Sequence, residues 1–325
     1  MKRVFRFLFK TLVLAGGVAA CAVFYLYIIG WFDPVPAVGL LAAPSGEDHL
    51  DLPALEAALE AEELPLLKAE AGEDYVQAAA RMIEAGARAL IVPLDEPRVS
   101  QALLDAADSA GVALIFVGEY PGRATLSSGD NFWYLGGLPA HGGELVGKEL
   151  ALDYREGVVA DSNGDLLLQY YLYQSAPDEE QTLFSDNLLA ECEHYGVYNT
   201  PVSWLDEEGS PLPFEAQALE GQAAPEAILC SCEADALYAL EVADALGWRE
   251  DDTPVRVYAM ANTPEAAARL LESGVEAAAY FEPAAVSAAA AIMAANALEY
   301  QFIATGTDLS PDAQGRILLP CDLAQ

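Results

Sequence analysis

Strand-length runs that are apolar at every position recur along this chain, each separated from the next by a stretch of helical periodicity. Residues 89–94 (ALIVPL) and 112–117 (VALIFV) show the pattern most plainly. A strand covered on one face alternates apolar and polar side chains. A strand apolar throughout is covered on both faces, which marks a parallel sheet between layers of helix. Further strands are predicted at 36–44, 64–69, 157–160, 166–173, 227–232, 255–260, 277–281 and 316–320. Between them, Asp51 reads as the cap of a helix with Pro53 in its first turn and Leu52, Leu55 and Leu59 along one face. Helices are predicted likewise from Tyr75, over 99–110, 140–152, 178–194, 235–246 and 264–273, and over the Ala-rich 284–298. The rhythm pauses at Gly136-Gly137 and restarts. Two successive α/β halves imply two lobes, with a cleft between the carboxyl ends of their strands where ligands bind.

The 325 residues carry a formal charge of −36, and its distribution matters more than its size. Lys2, Arg3, Arg6 and Lys10 precede the first acid, Asp33; from there on 11 basic residues face 51 acidic ones. Such a field repels phosphate backbones and argues against a nucleic-acid partner. Residues 11–32 (TLVLAGGVAACAVFYLYIIGWF) hold no charge and match the roughly 20 residues needed to cross a bilayer. Basic residues before the run place residues 1–10 in the cytoplasm and the acidic body outside, so 11–32 reads as an uncleaved signal anchor, a single transmembrane helix in the cell membrane. Val18-Ala19-Ala20-Cys21 keeps a second reading open, a lipoprotein processed at Cys21.

One turn stands out in the second half. Oxygen-bearing side chains fall on alternate residues at Asp161, Asn163 and Asp165, and again at Gln169. A hard cation such as Ca²⁺ gathers six to eight oxygens, and a tight loop presents several when every second residue turns inward. The closing Glu of a helix–loop–helix site would fall at Leu172, so a closing carboxylate must come from elsewhere. An Asp/Asn-rich β-turn is the alternative reading of the same residues. Cys192, Cys230, Cys232 and Cys321 match no zinc spacing and read as small buried residues.

Several passages together resemble the type I periplasmic sugar-binding proteins, most closely their galactose/glucose-binding branch. They are Ile83-Glu-Ala-Gly86 leading into 89–94, Glu226-Ala-Ile-Leu-Cys-Ser-Cys-Glu233-Ala-Asp235, and Asn262-Thr-Pro264 with Leu271-Glu-Ser-Gly274. The resemblance spans roughly residues 36 to 320. It implies the two-lobe fold of that family, with 33–136 and 283–307 in the first lobe and 137–282 and 308–325 in the second. It also implies a Ca²⁺ site in which Asp161, Asn163, Asp165, the Leu167 carbonyl and Gln169 are completed by Glu226. Leu166 departs from the family's turn glycine. In the ligand cleft, Trp204 resembles the stacking tryptophan and Asp178 the hydroxyl-binding aspartate, with Glu47 or Asp48 replacing an aspartate in the first loop and His49 near the usual aromatic. Gly118, Cys232 and Glu282 stand where the family carries asparagines, Thr182 where it carries arginine, and Ala261 where it carries another aspartate. The polar set for a sugar is thus thinned, and buried hydroxyls without partners cost free energy. The acids and aromatics that remain suit a cationic ligand.

The implied function is a membrane-tethered solute-binding protein that captures a small polar or sugar-like molecule for an ABC-type permease. The alternative is a sensory or scaffold ectodomain partnering a signalling protein such as a histidine kinase. Hydrolase elbows, P-loops and H-E-x-x-H are absent from the sequence, and no catalytic activity is expected.

Overall fold

A computed structural model describes residues 36–41, 49–70, 72–177, 179–250, 254–299 and 301–325. The apolar segment 11–32, Cys21, Glu47, Asp48 and Asp178 lie outside the described residues. Among the described residues no helix is long and apolar enough to cross a membrane.

The chain opens with β1 (Ala37–Leu40), α1 (Leu52–Ala61), β2 (Leu66–Lys68), α2 (Tyr75–Glu84), β3 (Ala87–Leu94), α3 (Gln101–Ala110), β4 (Ala113–Gly118), the short α4 (Arg123–Leu126) and β5 (Phe132–Gly137). It crosses to α5 (Pro139–Glu156), β6 (Leu168–Tyr173), α6 (Glu179–His194), β7 (Asn199–Pro201), β8 (Ala227–Cys230), α7 (Glu233–Ala245), β9 (Arg256–Met260), α8 (Pro264–Ser273) and β10 (Ala277–Tyr280). It returns with α9 (Pro283–Leu298) and β11 (Arg316–Leu319), and ends on β12 (Asp322–Ala324). One sheet has the order β11-β5-β4-β3-β1-β2 and is parallel throughout; the other runs β12-β10-β9-β8-β6-β7, with only β12 antiparallel.

Both sheets are covered on two faces, as strands apolar at every position require. In the first, Val38, Ile91 and Ile115 pack with Ala290 and Met293 of α9, while Leu90, Leu114 and Phe116 pack with Met82 and Leu103 of α2 and α3. In the second, Leu168, Leu229 and Tyr258 meet Val146, Leu150, Phe184 and Leu188 of α5 and α6. The opposite face joins Ile228 and Val257 to Ala239 and Leu270 and to an aromatic group around Trp204, Phe214 and Trp248. Helix starts are fixed by short polar side chains: Asp51 Oδ1 accepts from the Ala54 amide at 3.0 Å, and Thr263 Oγ1 from the Ala266 amide at 3.1 Å.

Four readings of the sequence need correction. Residues 157–160 form no strand: α5 runs on to Glu156, and the Val158 and Val159 amides fold back onto the Asp153 carbonyl. β5 went unread because its Gly136-Gly137 end resembles a linker, yet it pairs with β4 and β11. β12 also escaped notice. Finally, β11 belongs to the first sheet, so the last crossing falls between Leu319 and Asp322 and not at residue 308.

Candidate functional site

Three chain crossings join the lobes and set the cleft. At the first, the Leu138 amide donates to the Leu319 carbonyl at 2.7 Å. At the third, the Cys321 amide donates to His141 Nδ1 at 3.1 Å and its thiol to the Leu138 carbonyl at 3.3 Å. At the second, the Phe281 ring lies against Gly137, where a Cβ would sit 1.6 Å from the ring. Gly137 is therefore required by the ring's close approach.

Strand ends and helix starts from both lobes border two neighbouring spaces. The larger, about 760 Å³, lies among His49, Asp51, Glu233, Thr263, Arg269 and Glu282. The smaller, about 100 Å³, lies deeper among Gly118, Glu119, Tyr134, Glu180, Asn262 and Phe281; His49, Asn262, Thr263 and Pro283 border both. Both open at the carboxyl ends of the strands, where open α/β sheets bind ligands.

Gly118 ends β4 at φ 87°, in the left-handed region, and an added Cβ would lie 2.5 Å from the Leu94 carbonyl oxygen and 2.9 Å from the His49 ring. A side chain is excluded there both by conformation and by space. The Tyr134 hydroxyl donates to the Gly118 carbonyl at 2.8 Å and closes the floor. Burial, reinforced by the carboxylates of Glu180 and Glu119, holds that hydroxyl protonated well above the ordinary tyrosine range. Tyr120 packs edge-on to Tyr134 at 5.2 Å and carries the Arg316 guanidinium over its ring at 5.3 Å. His49 Nε2 lies 3.1 Å from Asp95 Oδ1. Across the cleft, Arg269 is paired with Glu233 at 2.9 Å, and Glu282 caps α9 by accepting the Ala284 amide at 3.4 Å.

Of the sequence-derived ligand positions, Gly118 and Glu282 line the cleft. Cys232 is the cap residue of α7, one position before the lining Glu233, and burial pushes its thiol up. Trp204 is placed elsewhere. Its indole is 6 % exposed, stacks on Trp248 at 5.6 Å and spends its N–H on the Ala223 carbonyl at 3.0 Å. A ring so enclosed belongs to the second lobe's core and has no free face for a sugar. Asn262, Thr263, Glu180 and Phe281 went unread as lining residues; the Thr-Pro cap directly after β9 was the signal available for two of them.

The 161–169 turn does meet Glu226. That carboxylate, 5 % exposed, accepts from the Ser162 amide at 2.7 Å and hydroxyl at 3.1 Å through Oε1, and from the Gln169 amide at 2.9 Å through Oε2. Asp161 accepts the Gly164 and Leu166 amides at 2.7 and 2.9 Å, and Asp165 accepts the Leu167 amide at 2.8 Å. The side-chain amides of Asn163 and Gln169 turn their N–H groups to Asp165 at 2.9 and 3.3 Å. Leu166 holds φ 64° where glycine would be unstrained. The Tyr154 hydroxyl is buried without a hydrogen-bond partner among the described residues; burial first, then Asp161, Glu226 and Asp165, push it up to about 12. Among the described residues no group of three or more His, Cys, Asp or Glu is placed to hold a metal ion.

The geometry can be set beside known proteins. The sequence profile of the periplasmic binding protein domain family matches residues 65–301. A search of curated proteins by sequence finds no match. Among solved structures, an ABC transporter periplasmic solute-binding protein from Actinobacillus succinogenes with bound D-allose is similar at 15 % identity and a TM-score of 0.58, covering 90 % of this chain and 98 % of that one. A solute-binding protein from Burkholderia multivorans gives 15 % identity and 0.57 over 89 % and 99 %. One from Bacillus halodurans with bound myo-inositol gives 14 % and 0.52 over 89 % and 94 %. At such identities the structures attest the fold alone. The family match covers most of the chain, and the chain belongs to the type I periplasmic binding proteins.

Proposed function

We propose that this chain is an extracytoplasmic solute-binding protein that closes two lobes over a small polar molecule and presents it to an ABC-type permease. The cleft carries this reading: its walls come from both lobes, at the ends of parallel strands, and three crossings beside it supply a hinge. Solved relatives of the same fold hold D-allose and myo-inositol. A thermal-shift screen of sugars, polyols, nucleosides and amines is expected to find at least one stabilising solute. A silent screen sinks the proposal. The apolar run 11–32 is the proposed tether at the cell membrane, tested by whether the mature protein stays in the membrane fraction with its first residues intact. Cross-linking in the native membrane separates permease from sensor-kinase partnership; recovery of a kinase in place of permease subunits makes the chain a sensory ectodomain.

Calcium at the second-lobe turn belongs to the same proposal. Asp161, Asn163, Asp165, Gln169, Glu226 and the Leu167 carbonyl would hold it. Bound there, the ion would take oxygens that now accept backbone amides of the turn. The support is Glu226 itself, buried and meeting, among the described residues, only the donors of Ser162 and Gln169. Ca²⁺ is expected to raise the unfolding temperature, and Glu226→Gln to abolish the rise. An unfolding temperature equal in Ca²⁺ and in chelator leaves hydrogen bonds as the brace of this turn and removes the ion.

A further inference from the structure

With the cleft read as the ligand site, its rings narrow the class of solute. Among the described residues bordering the two spaces, the six-membered aromatic rings are those of Tyr134 and Phe281. Tyr134 is 3 % exposed and spends its hydroxyl on the Gly118 carbonyl at 2.8 Å. Phe281 stands differently. It follows β10 at the second crossing, packs against the second-lobe core and is only half-buried. Gly137, having no Cβ, lets the ring seat against the first crossing. A ring held from behind and open to a cavity is suited to stack on the apolar face of a bound molecule. Trp204, closed in by Phe214 and Trp248, has no such opening.

The inner space is poor in polar groups that a solute could use. Of the side chains that line it alone, Leu135, Val286 and Phe281 are apolar, while the Tyr134 hydroxyl, Glu119 and Glu180 are engaged within the protein. Asn262 and Thr263 border both spaces and so stand where the two adjoin. The outer space, about 760 Å³, is large enough for a whole monosaccharide, whereas the inner, about 100 Å³, takes one end of it. A hydroxyl driven into that end must compete for acceptors already in use, which costs free energy. A methyl group there only gains apolar contact.

We propose that the solute is a 6-deoxy sugar that enters methyl first, with its C–H face on Phe281 and its hydroxyls toward Asn262 and Thr263. Phe281 then sets specificity in two ways. Its ring supplies the stacking surface, and its bulk keeps the inner end apolar. Because the ring also rests on Gly137, a solute lying on it is seated directly at the hinge between the lobes.

The test is calorimetric titration of the full-length chain in nonionic detergent. The probes are D-fucose and L-rhamnose, with D-galactose and L-mannose as the counterparts that keep the 6-hydroxyl. At least one deoxy sugar is expected to bind about tenfold or more tighter than its counterpart. Phe281→Leu, which keeps apolar bulk but removes the ring, should lose about fivefold or more of that affinity, whereas Trp204→Phe should leave it unchanged. Saturation-transfer NMR on the unaltered chain needs no variant to fold, and should show the sugar's methyl as its most strongly saturated group. Hydroxymethyl sugars that bind as tightly as the deoxy sugars overturn the assignment and leave the cleft reading standing. So does affinity indifferent to Phe281→Leu, or saturation centred away from the methyl. If none of the four sugars binds, the deoxy-sugar assignment falls, and the broader solute screen decides the cleft.

Discussion

The first-lobe wall of the cleft is made where strands end, at Gly118, Glu119, Gly136 and Gly137, with the starts of α1 and α9 at Asp51 and Glu282 beside them, whereas the second-lobe wall is made chiefly where helices begin, at Glu180, Glu233 and Thr263. On the strand side the backbone itself forms the surface, and neighbours crowd it: the Leu94 carbonyl and His49 at Gly118, the Phe281 ring at Gly137. On the helix side the surface is side chain, set by capping residues whose partners are their own backbone amides. The strand side fixes the shape of the space. The helix side sets much of its chemistry and can be changed without disturbing the core. The contrast predicts that substitutions on the two walls differ in kind, stability on one side and affinity on the other.

The sharpest way to break that contrast is Gly118→Ala. The added carbon meets a backbone oxygen and a positive φ, and a loss of about 3 kcal/mol in unfolding free energy is expected by chemical denaturation. Asn262→Ala, on the exposed helix side, should cost less than about 0.5 kcal/mol. Equal losses at the two positions would erase the distinction. Next in size is Glu226→Ala, away from both walls, which removes the buried acceptor of the Ser162 and Gln169 amides and should cost about 2 kcal/mol. Thr263→Ala removes only a cap and should cost about 1 kcal/mol, with Thr263→Ser restoring most of it.

The smallest effect concerns pH. Burial raises the Asp312 carboxyl, but the Arg316 amide and guanidinium and the Gln314 amide outweigh it and hold it below the usual carboxylate range. A carboxyl whose value is lower folded than unfolded adds stability that is complete above the unfolded value of about 4 and is lost as pH falls through the folded one. Asp312→Asn should therefore lower stability at neutral pH and flatten the acid limb of the stability curve, the two proteins converging as pH falls. An unchanged acid limb would place that stabilisation elsewhere.

Much of this architecture is legible in the sequence because parallel strands buried on both faces leave a simple trace. β3, β4 and β8 to β10 are apolar nearly throughout, and helices start at Asp51, Thr263-Pro264 and Glu282-Pro283 with short polar caps. β5 is hidden because Gly136 and Gly137 carry no side chains to read. β11 is visible, but its sheet is not, since four residues carry no record of the neighbour they pair with. Trp204 shows the limit for sites: tryptophan serves equally as a stacking platform and as core, and only the packing of Phe214 and Trp248 against it decides. The turn at 161–169 poses the same difficulty, because Asp and Asn at alternate positions accept backbone amides as readily as they hold a cation. Glu180 became a cleft residue only through the docking of one lobe against the other, which no local pattern encodes.

Amide hydrogen exchange with and without the tightest-binding solute tests the two-walled cleft most directly. Simultaneous protection of residues 118–120 in the first lobe and 262–266 in the second is the expected result. Protection confined to one lobe, or lying away from both segments, would contradict closure over a shared ligand.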